Sequence, residues 1–122
     1  MTQIKQEWGA IPSFCQGYFE AMFAVEDDLG DAGFYQLSRE AFDKSITDCL
    51  QFQLITMTAL AMVSDIYNPN QAGVDFYLTR NGHGVGFWDR GLGVIGDELT
   101  AICELHFKPV EPYLGGDGLI YL

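Results

Sequence analysis

Apolar positions in the first half of the chain recur with the spacing of amphipathic helices. Ser13 is a typical helix-capping residue, and the apolar side chains after it repeat at intervals of four, four and three. Residues 26–33 contain two glycines and four acidic side chains. Acidic side chains are unfavourable at the negative C-terminal end of a helix, so we expect the first helix to stop there. The inward stripe consists of Phe14, Tyr18, Met22 and Val25.

A second helix is predicted to restart at Ser38. The apolar stretch 54–63 continues it or forms a third helix after a break. Asn68-Pro69 is expected to end a helical part that covers 13–66. The inward stripe of the second helix consists of Ala41, Ser45, Cys49 and Phe52.

The remaining third of the chain changes to a β-rich pattern. Residues 74–79 are rich in β-branched and aromatic side chains, Asn81-Gly82 is a two-residue hairpin signal, and 84–88 supply a return strand. On the predicted register, Gly84 and Gly86 leave a bare strip on one face of the hairpin. Interior strand glycines indicate that a helix, an aromatic ring or a ligand approaches closely.

The last part of the chain predicts one more helix and a second hairpin. The helix opens at Asp97 and closes at Lys108-Pro109, and the hairpin pairs 113–114 with 119–122. The predicted fold class is therefore α+β, with N-terminal helices packed on a small antiparallel sheet in the order helices, then ββαββ. We expect a single domain over residues 1–122, helical at 13–66 and ββαββ at 73–122.

Charge narrows the choice of partner. The 122 residues carry 17 Asp and Glu against six Lys and Arg, which gives a net charge of −11 and a pI near 4.2. Nucleic acid and anionic membrane both attract clustered Lys and Arg, and here the six are scattered along the sequence. A basic protein surface is the favoured partner, because opposite charge speeds encounter.

Cysteine usage and the lack of targeting segments predict a cytoplasmic protein. Cys15, Cys49 and Cys103 are odd in number, far apart and set among apolar neighbours, which is typical of buried thiols in a reducing compartment. The first 25 residues show no secretion signal, and 54–63 is too short to cross a bilayer. The oligomeric state is not indicated.

No catalytic constellation, cofactor or metal site is predicted. The acids at 26–31 lack the alternating ligands of a calcium-binding loop. The run Gly91-Leu-Gly93-Val-Ile-Gly96 lacks the βαβ unit that surrounds a dinucleotide site. Its glycines are therefore interpreted as a flexible connector. Acidic residues and one tyrosine are instead the candidate partner contacts. They are Glu26, Asp27, Asp28, Asp31, Tyr77, Asp89, Asp97 and Glu98.

Two alternatives remain open at this point. The first is a small enzyme or ligand-binding module, because His83, Arg80 and Arg90 gather around the predicted hairpin and a histidine side chain can carry a proton or bind a metal. The second is a structural or virion component, because the apolar strand 119–122 either completes an internal sheet or offers an edge to a neighbour.

Residues 73–122 carry a resemblance. The run Gly73-Val-Asp-Phe-Tyr-Leu-Thr-Arg-Asn-Gly-His-Gly-Val-Gly-Phe-Trp-Asp-Arg90, followed by Tyr113-Leu-Gly-Gly-Asp-Gly-Leu-Ile-Tyr121, resembles small, acidic, largely uncharacterised proteins of tailed phages and prophages. The resemblance implies no catalytic residues. It does imply an inhibitor of a host defence system, comparable with anti-CRISPR and anti-restriction proteins, that occupies a basic nucleic-acid-binding surface of a host protein.

Overall fold

The computed structural model describes Ile4 and residues 7–122. Between residues 13 and 106 it contains five α-helices, followed by one two-stranded antiparallel sheet. Four 3₁₀ turns connect them, at Trp8–Ala10, Asp27–Leu29, Phe34–Gln36 and Phe87–Asp89. The elements are α1 (Ser13–Val25), α2 (Arg39–Ile55), α3 (Met57–Met62), α4 (Pro69–Arg80), α5 (Val94–His106), β1 (Tyr113–Leu114) and β2 (Ile120–Tyr121).

The helices of the first half follow the predicted order, but the prediction that Ser13 caps α1 is wrong: Ser13 is the first residue of the helix, Pro12 precedes it, and no side chain makes a capping hydrogen bond there. Ser38 caps α2 through its hydroxyl, which accepts a hydrogen bond from Ala41 N at 3.0 Å. At Thr56 the helix breaks, and the predicted third helix begins one residue later. The inward stripes are buried except for Val25, which is partly buried, and the three free cysteines are buried as well. None of the described helices is both long enough and apolar enough to cross a bilayer.

The prediction of a first hairpin is wrong, because residues 74–79 lie inside helix α4. Asn68-Pro69 begins this helix instead of ending the helical half: the Asn68 side chain accepts a hydrogen bond from Gln71 N at 2.8 Å, and Pro69 occupies the first turn. The predicted return strand 84–88 is a loop that leads into the 3₁₀ turn at Phe87–Asp89.

Asn81-Gly82 ends helix α4 rather than turning a hairpin. Gly82 has a φ of 67°, its N–H donates to Thr79 O at 3.3 Å, and His83 N–H donates to Leu78 O at 3.1 Å. These two bonds are the Schellman arrangement, in which a glycine in the left-handed conformation satisfies the last helical carbonyls.

Tertiary packing explains why β-prone side chains are helical here. Helices α1 and α4 cross with their backbones in contact: a Cβ on Gly73 would lie 1.8 Å from Phe14 O, and one on Gly17 would lie 2.0 Å from Asn70 O. Phe76 then stacks on Phe52 with ring centroids 4.4 Å apart. Burial of this aromatic cluster outweighs the modest β-propensity of residues 74–79.

The prediction of a C-terminal hairpin is confirmed, and the hairpin packs against the chain just before α2. Tyr113 pairs with Tyr121, and Leu114 pairs with Ile120. Ile120 is buried, forms a parallel bridge with Leu37, and accepts a hydrogen bond from Ser38 N at 2.9 Å. The structure is thus α+β with mostly helix and one small antiparallel sheet, so the order ββαββ is not observed.

The start of the last helix also differs from the prediction. Helix α5 begins at Val94 rather than at Asp97, with Gly93 before it at a φ of 62°. Gly96 lies inside the helix, where an added Cβ would be 2.8 Å from Phe87 O. One glycine of the 91–96 run therefore serves helix packing.

Candidate functional site

Arg80, at the end of α4, is a buried structural cation. Its guanidinium donates to Asp48 Oδ2 at 2.9 Å, to the Tyr18 hydroxyl at 3.1 Å, and to Lys108 O at 2.9 and 2.7 Å. Its side chain is only 3% exposed. Arg80 therefore ties α4 to α1, to α2 and to the segment after α5.

Arg90 belongs to a second cluster. It donates to both carboxylate oxygens of Asp75, at 2.7 to 3.1 Å, and that carboxylate is fully buried. Tyr67 donates its hydroxyl to the same carboxylate at 2.5 Å. Burial, together with this hydrogen bond, raises the pKa of Tyr67.

His83 belongs to a third cluster, around Glu26. His83 Nε2 lies 3.6 Å from Glu26 Oε2, and the Tyr77 hydroxyl donates to the same oxygen at 2.5 Å. Burial and this hydrogen bond raise the pKa of Tyr77. His83, Arg80 and Arg90 thus bind three different carboxylates, and the gathering of these groups around one hairpin is not observed.

The acidic contact candidates fall into two stretches of chain. Asp27, Asp28 and Asp31 are exposed at and beside the first 3₁₀ turn after α1. Glu26 and Asp28, together with His83 and Glu111, line a cleft of about 260 Å³. We call residues 26–31 the acidic segment.

The other stretch surrounds the start of α5. Asp89 is exposed, and its carboxylate accepts a hydrogen bond from Gly86 N at 3.0 Å. Asp97 and Glu98 are exposed near the beginning of α5, where the helix dipole favours negative charge. The prediction of Tyr77 as a contact residue is wrong for the folded chain, because its side chain is fully buried between α1 and the acidic segment.

The bare glycine strip also has an internal explanation. A Cβ on Gly86 would lie 2.2 Å from Thr79 Oγ1 and 2.8 Å from the Trp88 ring, whereas nothing lies within 4 Å of one on Gly84. Helix α4 and an aromatic ring therefore fill the space beside Gly86, and Gly84 serves a turn with a φ of 83°.

An apolar groove of about 540 Å³ runs between α2, α3 and the start of α4. None of the contact residues predicted from sequence lines this groove. No Lys, Arg, Asp or Glu lines it among the described residues. Leu54 and Met57 on its wall are 71% and 63% exposed. The signal in the sequence is the apolar stretch 54–63, which is too short to cross a bilayer and supplies much of the lining. The lining includes Leu50, Leu54, Met57, Leu60, Tyr67 and Ala72.

No family model, curated protein or solved structure matches this chain. Within Ile4 and residues 7–122, no group of three or more His, Cys, Asp and Glu side chains is placed to hold a metal ion. What distinguishes the surface is its charge and the apolar groove.

Proposed function

We propose that the chain is an acidic binding protein that docks on a basic, nucleic-acid-binding surface of another protein. The observation that supports this proposal is that most of the basic side chains form ion pairs within the chain, while most of the acidic side chains do not. Arg39, Lys44, Arg80 and Arg90 are each paired with a carboxylate of the chain itself. Among the described residues, the acids that form no ion pair lie at or near the surface, so the excess negative charge is presented to the solvent.

Such a field favours a basic partner over nucleic acid. A nucleic-acid backbone presents a row of phosphates and needs many free Lys and Arg to replace its counterions, whereas four of the six basic residues here are paired within the chain. Exposed carboxylates instead attract a Lys- and Arg-rich protein surface over several ångströms and raise its association rate. Asp27, Asp28 and Asp31 are the residues to which we assign this attraction.

The apolar groove supplies the contact that charge alone does not. Interfaces draw most of their affinity from buried apolar anchors, with charges at the rim. The groove is uncharged, and acids flank it: Asp65 follows its lining residue Ser64, and Glu20 accepts a hydrogen bond from Asn70 at 3.0 Å beside Pro69. Its occupant on this proposal is a segment of the same basic partner with apolar side chains flanked by Lys or Arg.

The similarity of residues 73–122 to small phage proteins supports an anti-defence role of the anti-CRISPR type. On this proposal, expression of the chain in bacteria that carry a CRISPR-Cas or restriction system should restore phage plating, and the bound target should be a subunit of that system. The absence of protection in every system tested, together with the absence of such a subunit among captured proteins, would sink the proposal.

The role of the acidic segment can be tested with matched charge variants. The triple variant Asp27→Asn/Asp28→Asn/Asp31→Asn should slow association with the target roughly tenfold at low salt, and salt should affect it less than the wild type. The control Asp89→Asn/Asp97→Asn/Glu98→Gln removes the same amount of charge and should slow association less. Equal slowing in stopped-flow or surface binding kinetics would show that the acidic segment is not the contact.

The groove can be tested in the same assay. Leu54→Ser should speed dissociation roughly tenfold or more, because it removes an apolar anchor, and should change stability by no more than about 0.5 kcal/mol because the side chain is largely exposed. Leu105→Ser is the control, since Leu105 is 78% exposed on α5 and does not line the groove. Unchanged dissociation of Leu54→Ser would exclude the groove from the interface.

A further inference from the structure

The basic residues are scattered in the sequence, but the fold collects half of them in one place. Lys44, Arg80 and Lys108 line a cleft of about 370 Å³ with His106, and a single carboxylate, Asp48, faces them. The cleft lies between α2, the end of α4 and the chain that leaves α5. We call it the basic cleft.

The basic cleft carries more positive charge than its own carboxylate neutralises. Asp48 accepts from Lys44 Nζ at 2.8 and 2.9 Å and from Arg80 at 2.9 Å. No ion pair joins Lys108 to a carboxylate in the part of the chain that the structure describes. Among the residues that line the cleft, three cationic side chains face one carboxylate, so the lining itself carries a surplus of two positive charges on a molecule of net charge −11.

Hydrogen bonds and ring packing around Arg80 fix the shape of the basic cleft. Arg80 donates twice to the backbone carbonyl of Lys108, which fixes the backbone of the residue that carries the unpaired ammonium. The rings of Phe76 and Phe107 lie 5.4 and 5.7 Å from the guanidinium carbon and pack around it. Phe107 and Val110 add apolar walls to the cleft. Such preorganisation lowers the cost of ordering a site when a ligand arrives.

We propose that the basic cleft binds the phosphate monoester group of a small molecule. A phosphate monoester carries close to two negative charges at neutral pH, which matches the local surplus. Ammonium groups bind phosphate as compact point charges, and here Lys44 and Lys108 supply them in the lining of the cleft. The volume lies within the range of small-molecule sites, and the apolar walls accommodate the carbon part of the ligand.

Isothermal titration calorimetry with inorganic phosphate and with phenyl phosphate tests the proposal on the whole chain. Both should bind saturably with millimolar or tighter affinity, phenyl phosphate more tightly because its ring reaches the apolar walls formed by Phe107 and Val110. Lys108→Gln should weaken binding roughly tenfold, since a hydrogen bond to a charged group is lost. Arg39→Gln is the control: it removes an equal charge from an exposed pair outside the cleft and should have a smaller effect.

Three outcomes would overturn the proposal. One is the absence of saturable binding of both probes to the wild type. Another is an equal loss in Lys108→Gln and Arg39→Gln, which would indicate diffuse screening of the whole molecule. Succinate binding as tightly as phosphate would assign the cleft to carboxylates instead. Circular dichroism should show both variants folded, because the two substituted side chains lie at the surface.

Discussion

Gly73→Ala should destabilise the protein by about 3 kcal/mol or more, which is a large part of the roughly 5–15 kcal/mol by which an ordinary domain is stable. The added methyl would lie 1.8 Å from Phe14 O and 3.0 Å from Tyr18 N, and both are backbone atoms that cannot move aside as a side chain can. Helices α1 and α4 would have to separate, and the buried aromatic rings between them would lose contacts.

Urea unfolding followed by circular dichroism measures this effect. Gly116→Ala is the matched control, since nothing lies within 4 Å of a Cβ at that position, and it should stay within about 0.5 kcal/mol of the wild type. If Gly73→Ala unfolded at the same urea concentration as Gly116→Ala, the close crossing of α1 and α4 would be wrong.

Asp48→Ala should cost about 3 to 5 kcal/mol, because it leaves the guanidinium of Arg80 buried without its countercharge. The remaining partners of Arg80, the Tyr18 hydroxyl and the Lys108 carbonyl, carry no full negative charge. Lys44 loses its partner as well, but its side chain is 55% exposed and water replaces the contact.

Two comparisons separate this buried pair from ordinary surface pairs in thermal and urea unfolding. Asp43→Ala breaks an exposed contact with Arg39 and should cost less than about 1 kcal/mol. The double variant Asp48→Leu/Arg80→Met should be more stable than Asp48→Ala alone, because no charge remains buried. A small effect of Asp48→Ala, comparable to that of Asp43→Ala, would contradict the buried network.

Local signals with one meaning predicted the fold well. Ser38 has one common use before an apolar helical stripe, and it caps α2. The apolar strand 119–122 after a glycine-rich turn forms the predicted hairpin with β1. In both places a short-range preference and the tertiary structure favour the same conformation.

Signals with two meanings were the ones that failed. Asn68-Pro69 is typical of a helix end and equally of a helix start, and Asn81-Gly82 serves a hairpin turn or a helix C-terminus. Which of the two structures forms depends on contacts between residues distant in sequence, chiefly the close contact of helices α1 and α4 at Gly17 and Gly73. Correctly placing α4 from sequence would have required knowing what it packs against.

Features of the candidate sites that depend on local sequence could be predicted, and those that depend on tertiary contacts could not. Exposure of Asp27, Asp28 and Asp31 follows from their charge and from the loop that contains them, so the sequence alone predicted it. Pairing of Arg80 with Asp48 joins residues 32 positions apart, and it depends on the position of helix α4. The basic cleft was missed for the same reason, because its cations come from separate parts of the chain.

The basic cleft also determines how the protein responds to amine-reactive reagents. The chain contains three lysines, Lys5, Lys44 and Lys108, and two of them line the cleft. Acylation with an N-hydroxysuccinimide ester therefore modifies the cleft whenever it modifies either of those two side chains. Attachment to a surface through Lys44 or Lys108 would block the cleft and leave the acidic segment accessible, whereas coupling through engineered surface cysteines would leave both accessible.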